Sequence, residues 1–583
     1  MTLGPAGFIA TGDDRQTWED SVEAVLAAVA TELTVVRERG GDSGGSNGAA
    51  APDDPEGAWR LTWLDTFDWR LHKAGLTLEY VAGRRGGELR LASAAPGDAG
   101  TCQPVICQPV TGWQATRPHL AADLPDGPVT ARIAGLAAPR ALLPVVTVVG
   151  TTVVYRLLNT DAKMVARLLI ERLMTAGGDV VPLAPRLAIT EVRGYQGQAR
   201  RAARLVAAVP GVRNEAEAPF AVALGGLGGL GRRPGDYSNK VDAPITAAMP
   251  ASRAAATILL RLLDIIDANV GGVLRDIDTE FLHDLRVSVR RTRSALKLFG
   301  DVLGLPREDL AFFTAEFGWV GDVTTPTRDL DVHLLDFAQM ASALAAAKPD
   351  DLEPFRGYLD QRRRKEFRAL TRALRSPRFN AVTQAWRAKI TAIEQGHGAA
   401  GVAADRSGKP VKAAPESGSV GTLAAERTRV SFVKVARKGG AITPDSPPES
   451  LHDLRKRCKE LRYSLEFFAP LHDPAGYGKV VGDLKRLQDC LGEFQDTEVQ
   501  IGEIRALAAA MLAVGEAPAV TLLAMGEVTA GLVVRQRAAR ADFERRFAAF
   551  ADVEGQRRMS ALLRGRASGR GREVPINAHI CDI

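Results

Sequence analysis

The sequence predicts an α+β chain of several domains. An N-terminal antiparallel β-sheet or barrel comes first, and a C-terminal all-α pseudo-two-fold pair of helical bundles follows. Three observations lead there. Short apolar runs broken by Gly and Pro recur up to Val192. From Ala251 onward, apolar residues return every three to four positions instead. Within that helical half, the stretch His283–Phe299 is repeated without a gap as His452–Phe468.

The 583 residues exceed one domain at roughly 100–200 residues per domain. A composition of 46% hydrophobic and 25% charged residues is that of a globular protein with material for more than one core. The net charge of +6 is compatible with an anionic partner without establishing one, because patterning matters more than the sum. Cys102 and Cys107 have no second close pair to complete a zinc site, so no metal site is expected. Cys458 and Cys490 fall in helical patterns and read as buried thiols of a reducing compartment. No basic region precedes an apolar run at the N-terminus, and no stretch approaches ~20 apolar residues. The expectation is a cytoplasmic chain without a membrane partner.

In order, an amphipathic helix is expected around Trp18–Leu33, then a Gly/Ser/Asp-rich loop over Gly40–Gly57. Strands are expected at Trp59–Leu64, Leu76–Ala82, Glu88–Ala92, Val129–Leu136, Val145–Leu158, Val165–Leu173 and Leu187–Val192. Gln196–Val209 reads as a helix closing a first domain, 1–209. Residues 210–250, with the Gly-rich run Gly225–Gly231, read as a linker. The helical domain spans 251–555, with repeat units at about 251–395 and 422–555 around a low-complexity insertion, 396–421. Residues 556–583 read as a flexible tail.

Advancing 100° per residue puts His283, Arg286, Arg290, Arg293 and Lys297 within an arc of about 80°. His452, Arg455, Lys459 and Arg462 occupy the same arc in the second copy, with Lys456 beside them, and Glu466 stands where the first copy has Lys297. Leu285, Val289, Leu296 and Phe299 line the adjoining side, as do Leu454, Cys458, Leu461, Leu465 and Phe468. Downstream of each copy come a glycine, Gly321 or Gly492, and an acidic segment, Arg328-Asp329-Leu330-Asp331 or Gln495-Asp496-Thr497-Glu498. Each unit thus reads as a basic helix and a helix ending in a Gly turn and an acidic pair. Cations at one-turn spacing suit a linear polyanion, Arg as a fork and Lys as a point charge. A single such stripe is usually a solvated surface, and two gapless copies favour function. For Asp284, Asp453, Asp329, Asp331, Asp496 and Glu498, pairing with nearby cations is favoured over catalysis.

At these residues the sequence resembles the CHAD family, the conserved-histidine α-helical domains, over roughly Pro250–Phe550. The resemblance rests on His283-x-x-Arg286-x-x-x-Arg290-x-x-Arg293 and on His452-x-x-Arg455-Lys456-x-x-Lys459-x-x-Arg462-Tyr463. It implies two pseudo-symmetric four-helix bundles around a basic channel that binds inorganic polyphosphate, with no cofactor and no catalytic residue. The N-terminal part is similar to the CYTH family, or triphosphate-tunnel fold, through Trp63-Leu64-Asp65-Thr66-Phe67-Asp68-Trp69-Arg70-Leu71, Ala74–Leu78 and Arg186–Gly194. It departs from that family's catalytic pattern. No opening Glu-x-Glu-x-Lys strand precedes Gly40, Glu79, Tyr80 and Val81 stand where inward arginines are expected, and Glu191 follows Ile189 and Thr190. A triphosphate tunnel needs both cations and metal-binding carboxylates.

The leading expectation is therefore non-enzymatic polyphosphate binding by a cytoplasmic protein, associated with polyphosphate granules. The rivals are a CYTH-type metal-dependent triphosphatase tethered to polyphosphate, and a generic nucleic-acid or polyanion binder. The last lacks interleaved aromatic platforms.

Overall fold

The computed structural model describes residues 7–11, 14–38, 58–83, 86–93, 106–176, 181–214, 220, 223–224, 232–396 and 418–564. The Gly40–Gly57 loop (40–57), the Gly-rich run, residues 397–417 of the insertion and the tail from 565 lie outside these. The chain divides into two compact units, Met1–Ser238 and Asn239–Ile583.

The first unit is an 11-stranded antiparallel sheet. Its strands are β1 (Phe8–Ala10), β2 (Thr34–Arg37), β3 (Ala58–Thr66), β4 (Leu76–Gly83), β5 (Gly86–Ser93) and β6 (Ile106–Val110). Then come β7 (His119–Leu120), β8 (Ala141–Leu158), β9 (Met164–Ala176), β10 (Pro182–Glu191) and β11 (Val212–Asn214). The main order is β11-β1-β10-β9-β8-β3-β4-β5-β6. Helices α1 (Arg15–Ala30) and α4 (Gln196–Ala207) cover one region of apolar side chains, with Val25, Val29, Ala202 and Val206 fully buried. A turn, α2 (Arg70–Lys73), follows β3. There the buried Asp65 carboxylate accepts from the backbone N–H groups of Thr66, Leu71 and His72.

One expected strand is a helix. Val129–Leu136 lies in α3 (Pro128–Ala137). Pro128 stands at the first turn, where its missing N–H costs nothing, and Val129, Ile133 and Ala137 recur one turn apart and are fully buried. The β-branched residues favour a strand locally, but burial of a helical face overrides that preference. The stretch 210–250 is also less of a linker than its composition suggests. β11 pairs with β1, and Tyr237, Val241, Ala243 and Ile245 are buried.

The second unit is helical: α5 (Ala251–Leu274), α6 (Thr279–Phe299), α7 (Arg307–Ser342), α8 (Glu353–Leu374) and α9 (Pro377–Glu394). These are followed by α10 (Val420–Gly440), α11 (Pro448–Phe467), α12 (Pro474–Ala513), α13 (Ala519–Ala551) and α14 (Val553–Arg564). Each repeat thus supplies five helices among the described residues, where bundles of four were expected. α14 enters the expected tail because Met559 and Leu562 join the core of the second repeat. The glycines of the repeat do not form turns. Gly321 lies inside α7 and Gly492 inside α12, and both helices run on. Cys458 and Cys490 are buried thiols, as expected. Among the described residues α13 is long and apolar enough to cross a membrane by length and composition. Ala524, Met525 and Leu532 of that helix are packed in the core with α7, α8 and α12.

The repeats are related by a pseudo-two-fold axis, visible where equivalent residues meet. His283 and His452 are 169 positions apart, and so are the starts of α5 and α10. Pro250 bridges to its equivalent Ser419, and the Ala251 and Val420 N–H groups donate to the Gly418 and Met249 carbonyls, a pair of images. Phe299 packs edge-on against its equivalent Phe468, with ring centroids 5.7 Å apart. Phe299, Phe467 and Phe468 are fully buried. Phe299→Ala should therefore cost about 3–5 kcal/mol. Urea unfolding followed by helical circular dichroism measures it, and a loss below about 1 kcal/mol would contradict this packing.

Candidate polyanion-binding face

α6 opens on Asp278, whose side chain accepts from the Glu280 and Phe281 N–H groups, a standard helix N-cap. Its apolar side, including Leu285, Val289, Leu296 and Phe299, is buried. α11 buries Leu454, Cys458, Leu461 and Leu465 in the same way. Burial of one side fixes the rotation of each helix and hence the direction of its cations.

The two basic helices lie side by side, and ion pairs set their register. The Arg291 guanidinium donates to Glu466 at 2.8 and 3.0 Å, and Lys297 Nζ to Glu460 at 2.5 Å. Under the 169-residue offset these pairs are images of one another, because Arg291 corresponds to Glu460 and Lys297 to Glu466. The helices are therefore antiparallel. Lys297 is thus a strut of the repeat interface, and Arg291, outside the expected stripe, does the same work. Its signals in the sequence are the swapped signs at its equivalent, Glu460, and at its partner, Glu466.

Other expected residues divide into anchored and available groups. Arg286 is half-buried and donates through Nη1 to the Gly321 carbonyl at 3.2 Å and to Thr324 and Thr325 hydroxyls at 3.0 and 2.8 Å. All three acceptors are neutral, so its charge remains uncompensated at contact. Arg293 also passes close to Gly321: a Cβ added there would stand 3.5 Å from Arg293 Nη1, an ordinary contact. In the second copy Arg455 instead meets an acid, Asp496, at 2.9 Å, beside Gly492. His452 Nδ1 lies 2.5 Å from Gln495 Oε1. Arg462 is held by Glu466 and Gln488, and Lys456 is exposed, 3.7 Å from Asp453. His283 is half-buried on α6.

Arg290, Arg293 and Lys459 have no carboxylate partner among the described residues. Burial, then the positive charges of Arg455 and Arg290, pushes the Lys459 ammonium down to about 8, although Asp496 opposes the shift. Burial also lowers Arg286, with Arg290 and Arg328 contributing and Asp329 opposing. Arg290 is common to both groups, so the stripes of the two repeats act on one region. Arg328, which donates to the Thr279 carbonyl at 3.2 Å, belongs to it as well. The expected acid pairings are mixed. Asp331 binds Arg363 at 2.5 Å, Asp453 binds Lys438 at 3.2 Å and Asp284 accepts from Asn239 at 2.9 Å. Asp329 carries no hydrogen bond or ion pair among the described residues.

In the first unit, β-sheet register places Trp63 opposite Glu79, Glu79 opposite Arg90, and Glu171 opposite Arg186. Trp63 Nε1 donates to Glu79 at 3.1 Å, Arg90 pairs with Glu88 at 2.5 Å and Arg186 with Glu171 at 3.5 Å. Leu61, Trp63, Val146, Val148, Leu173 and Leu183 share a buried cluster with Ala223, Leu224 and Phe220. This face of the sheet is thus packed with apolar side chains and self-paired charges. The Trp63–Leu71 motif is a scaffold: Arg232 stacks on Phe67 and Trp69, and Trp69 Nε1 donates to Asp236 at 2.7 Å.

Because Lys459 is easier to deprotonate in the fold than in the unfolded chain, its charge destabilises the native state below pH 8. Stability should rise as pH increases from about 8 toward its unfolded value of ~10.4. Lys459→Met should stabilise most below pH 8, and its advantage should vanish near pH 10.5. Urea melts at stepped pH check this, and an advantage independent of pH would contradict it.

The CHAD domain family model matches residues 257–505. The crystal structure of the CHAD domain from the plant Ricinus communis is 23% identical, with a TM-score of 0.44, over 55% of this chain and 98% of that one. PptA from Streptomyces chartreusis is 17% identical, with a TM-score of 0.37, over 51% and 99%. A putative adenylate cyclase from Bacillus halodurans is 14% identical, with a TM-score of 0.21, over 34% and 86%. No curated protein matches the chain. Carrying the doubled His/Arg/Lys helix on a pseudo-two-fold helical scaffold, residues 257–505 belong to the CHAD domain family.

Proposed function

We propose that the helical unit binds inorganic polyphosphate without chemical turnover, along the cationic face shared by α6 and α11. The observation that carries this reading is the set of Arg290, Arg293 and Lys459, cations of both repeats that lack carboxylate partners among the described residues. Arg286 adds a guanidinium whose Nη1 is fixed by neutral acceptors. An anionic polymer offsets both the burial and the neighbouring positive charge that lower Lys459 and Arg286. Its evenly spaced charges match side chains repeating along a helix, and each contact releases counterions. The carboxylates narrow the site: Glu460 and Glu466 engage Lys297 and Arg462, while Arg455 and the exposed Lys456 stand at its edge. In this reading the ligand is met in the cytoplasm, including at polyphosphate granules.

Purified protein should bind long-chain polyphosphate at low salt, with log K falling against log salt at a slope of about −3 for four contacts. Arg290→Glu with Lys459→Glu should weaken binding about a hundredfold or more while the circular-dichroism melt stays near wild type. Single-stranded RNA of matched charge should compete more weakly. Undiminished binding by the double variant, or RNA competing equally, would remove the proposal in its specific form.

The N-terminal unit supports the non-enzymatic part of the reading. Trp63, Phe220 and the paired Arg186–Glu171 and Arg90–Glu88 occupy the sheet face on which a CYTH-like enzyme would hold triphosphate. No phosphate release is expected from tripolyphosphate with Mg²⁺. Sustained turnover abolished by a substitution in this unit would replace binding with hydrolysis.

A further inference from the structure

A cavity of about 460 Å³ opens between α7, α8 and α12. Its polar lining is Thr325, Asp329, His333, Arg362, Glu366 and Glu503. Three carboxylates therefore face one guanidinium. Asp329 is half-buried and has no hydrogen-bond or ion-pair partner among the described residues. Burial, then the like charge of Glu503, raises its carboxyl above the usual range although Arg286, His333 and Arg328 oppose this. His333 is only 3% exposed. Its Nε2 lies 2.8 Å from Glu503 Oε2, and its Nδ1 is buried without a partner. With Nε2–H donating to the carboxylate, Nδ1 is an acceptor awaiting a donor. Leu330 and Leu507, 6% and 7% exposed, supply an apolar wall.

This combination selects a ligand class. A bare divalent ion needs several converging oxygens, and among the described residues no group of three acidic, His or Cys side chains is placed to hold one. An ammonium group on a short alkyl chain suits the lining better. Its charge meets Asp329 and Glu503, its N–H groups meet acceptors, and its methylenes lie against Leu330 and Leu507. We propose that this cavity is a binding site for a small alkylammonium ion, a diamine or polyamine in chemical class. The site adjoins the cationic face, since Thr325 of its lining accepts from Arg286, but it does not depend on the polyphosphate reading.

The test is calorimetry of the full chain with 1,5-diaminopentane at constant ionic strength and without polyphosphate. Saturable one-to-one binding is expected. Asp329→Asn with Glu503→Gln should weaken it at least tenfold, and Ala506→Trp, which fills the cavity without altering charge, should do the same. Glu353→Gln, an exposed change elsewhere on α8, should leave it unchanged, and Mg²⁺ should give no saturable heat. Absence of saturation in the wild type, equal affinity in Ala506→Trp, or tighter binding of Mg²⁺ would overturn the proposal. If the double variant unfolds, the Ala506→Trp result decides alone.

Discussion

The antiparallel contact between α6 and α11 is the constraint on which the helical unit depends. A strict two-fold would set like charges against each other, since equivalent positions would carry the same side chain. Here one repeat supplies both cations, Arg291 and Lys297, and the other both anions, Glu466 and Glu460. Exposed pairs of this kind are worth little individually. Arg291 and Glu466, however, are 14% and 16% exposed at the side chain, and the equivalent Phe299 and Phe468 pack beside them. Shape and charge together fix the register, and the register brings Arg290 within electrostatic reach of Lys459.

Much of this was legible because a helix repeats its faces every 3.6 residues. The arc holding Arg286, Arg290 and Arg293 follows from spacing alone, as does the apolar side that packs it. Which of those cations stay available does not. Arg455 and Arg286 occupy matching positions, yet one meets Asp496 and the other threonine hydroxyls, a difference made by the neighbouring helix. Gly321 and Gly492 look like turn residues in one dimension. In three they are places on a continuous helix where a guanidinium comes close. α3 departs from its sequence pattern for the opposite reason, because its local preference for strand is overridden by burial of Val129, Ile133 and Ala137.

The two units use charge differently. In the sheet unit, Arg90, Arg186 and Glu79 are each committed to a neighbour, and large apolar side chains fill the same face. Such an arrangement is inexpensive to bury because its polar groups are satisfied. In the helical unit, Lys459 and Arg290 are held near each other without a carboxylate partner among the described residues, at a cost to the native state. The core around Val435, Leu454, Leu484 and Leu487 makes that cost tolerable.

The division of sign between the repeats has a bearing on self-association. Two first halves from separate molecules, brought together in the same orientation, would face Arg291 with Lys297. Two second halves would face Glu460 with Glu466. Neither homotypic union is favoured by charge, whereas the union within a single polypeptide is. The duplication has thereby lost the capacity of its halves to stand in for one another, and the seam acts as a lock that admits only the complementary half.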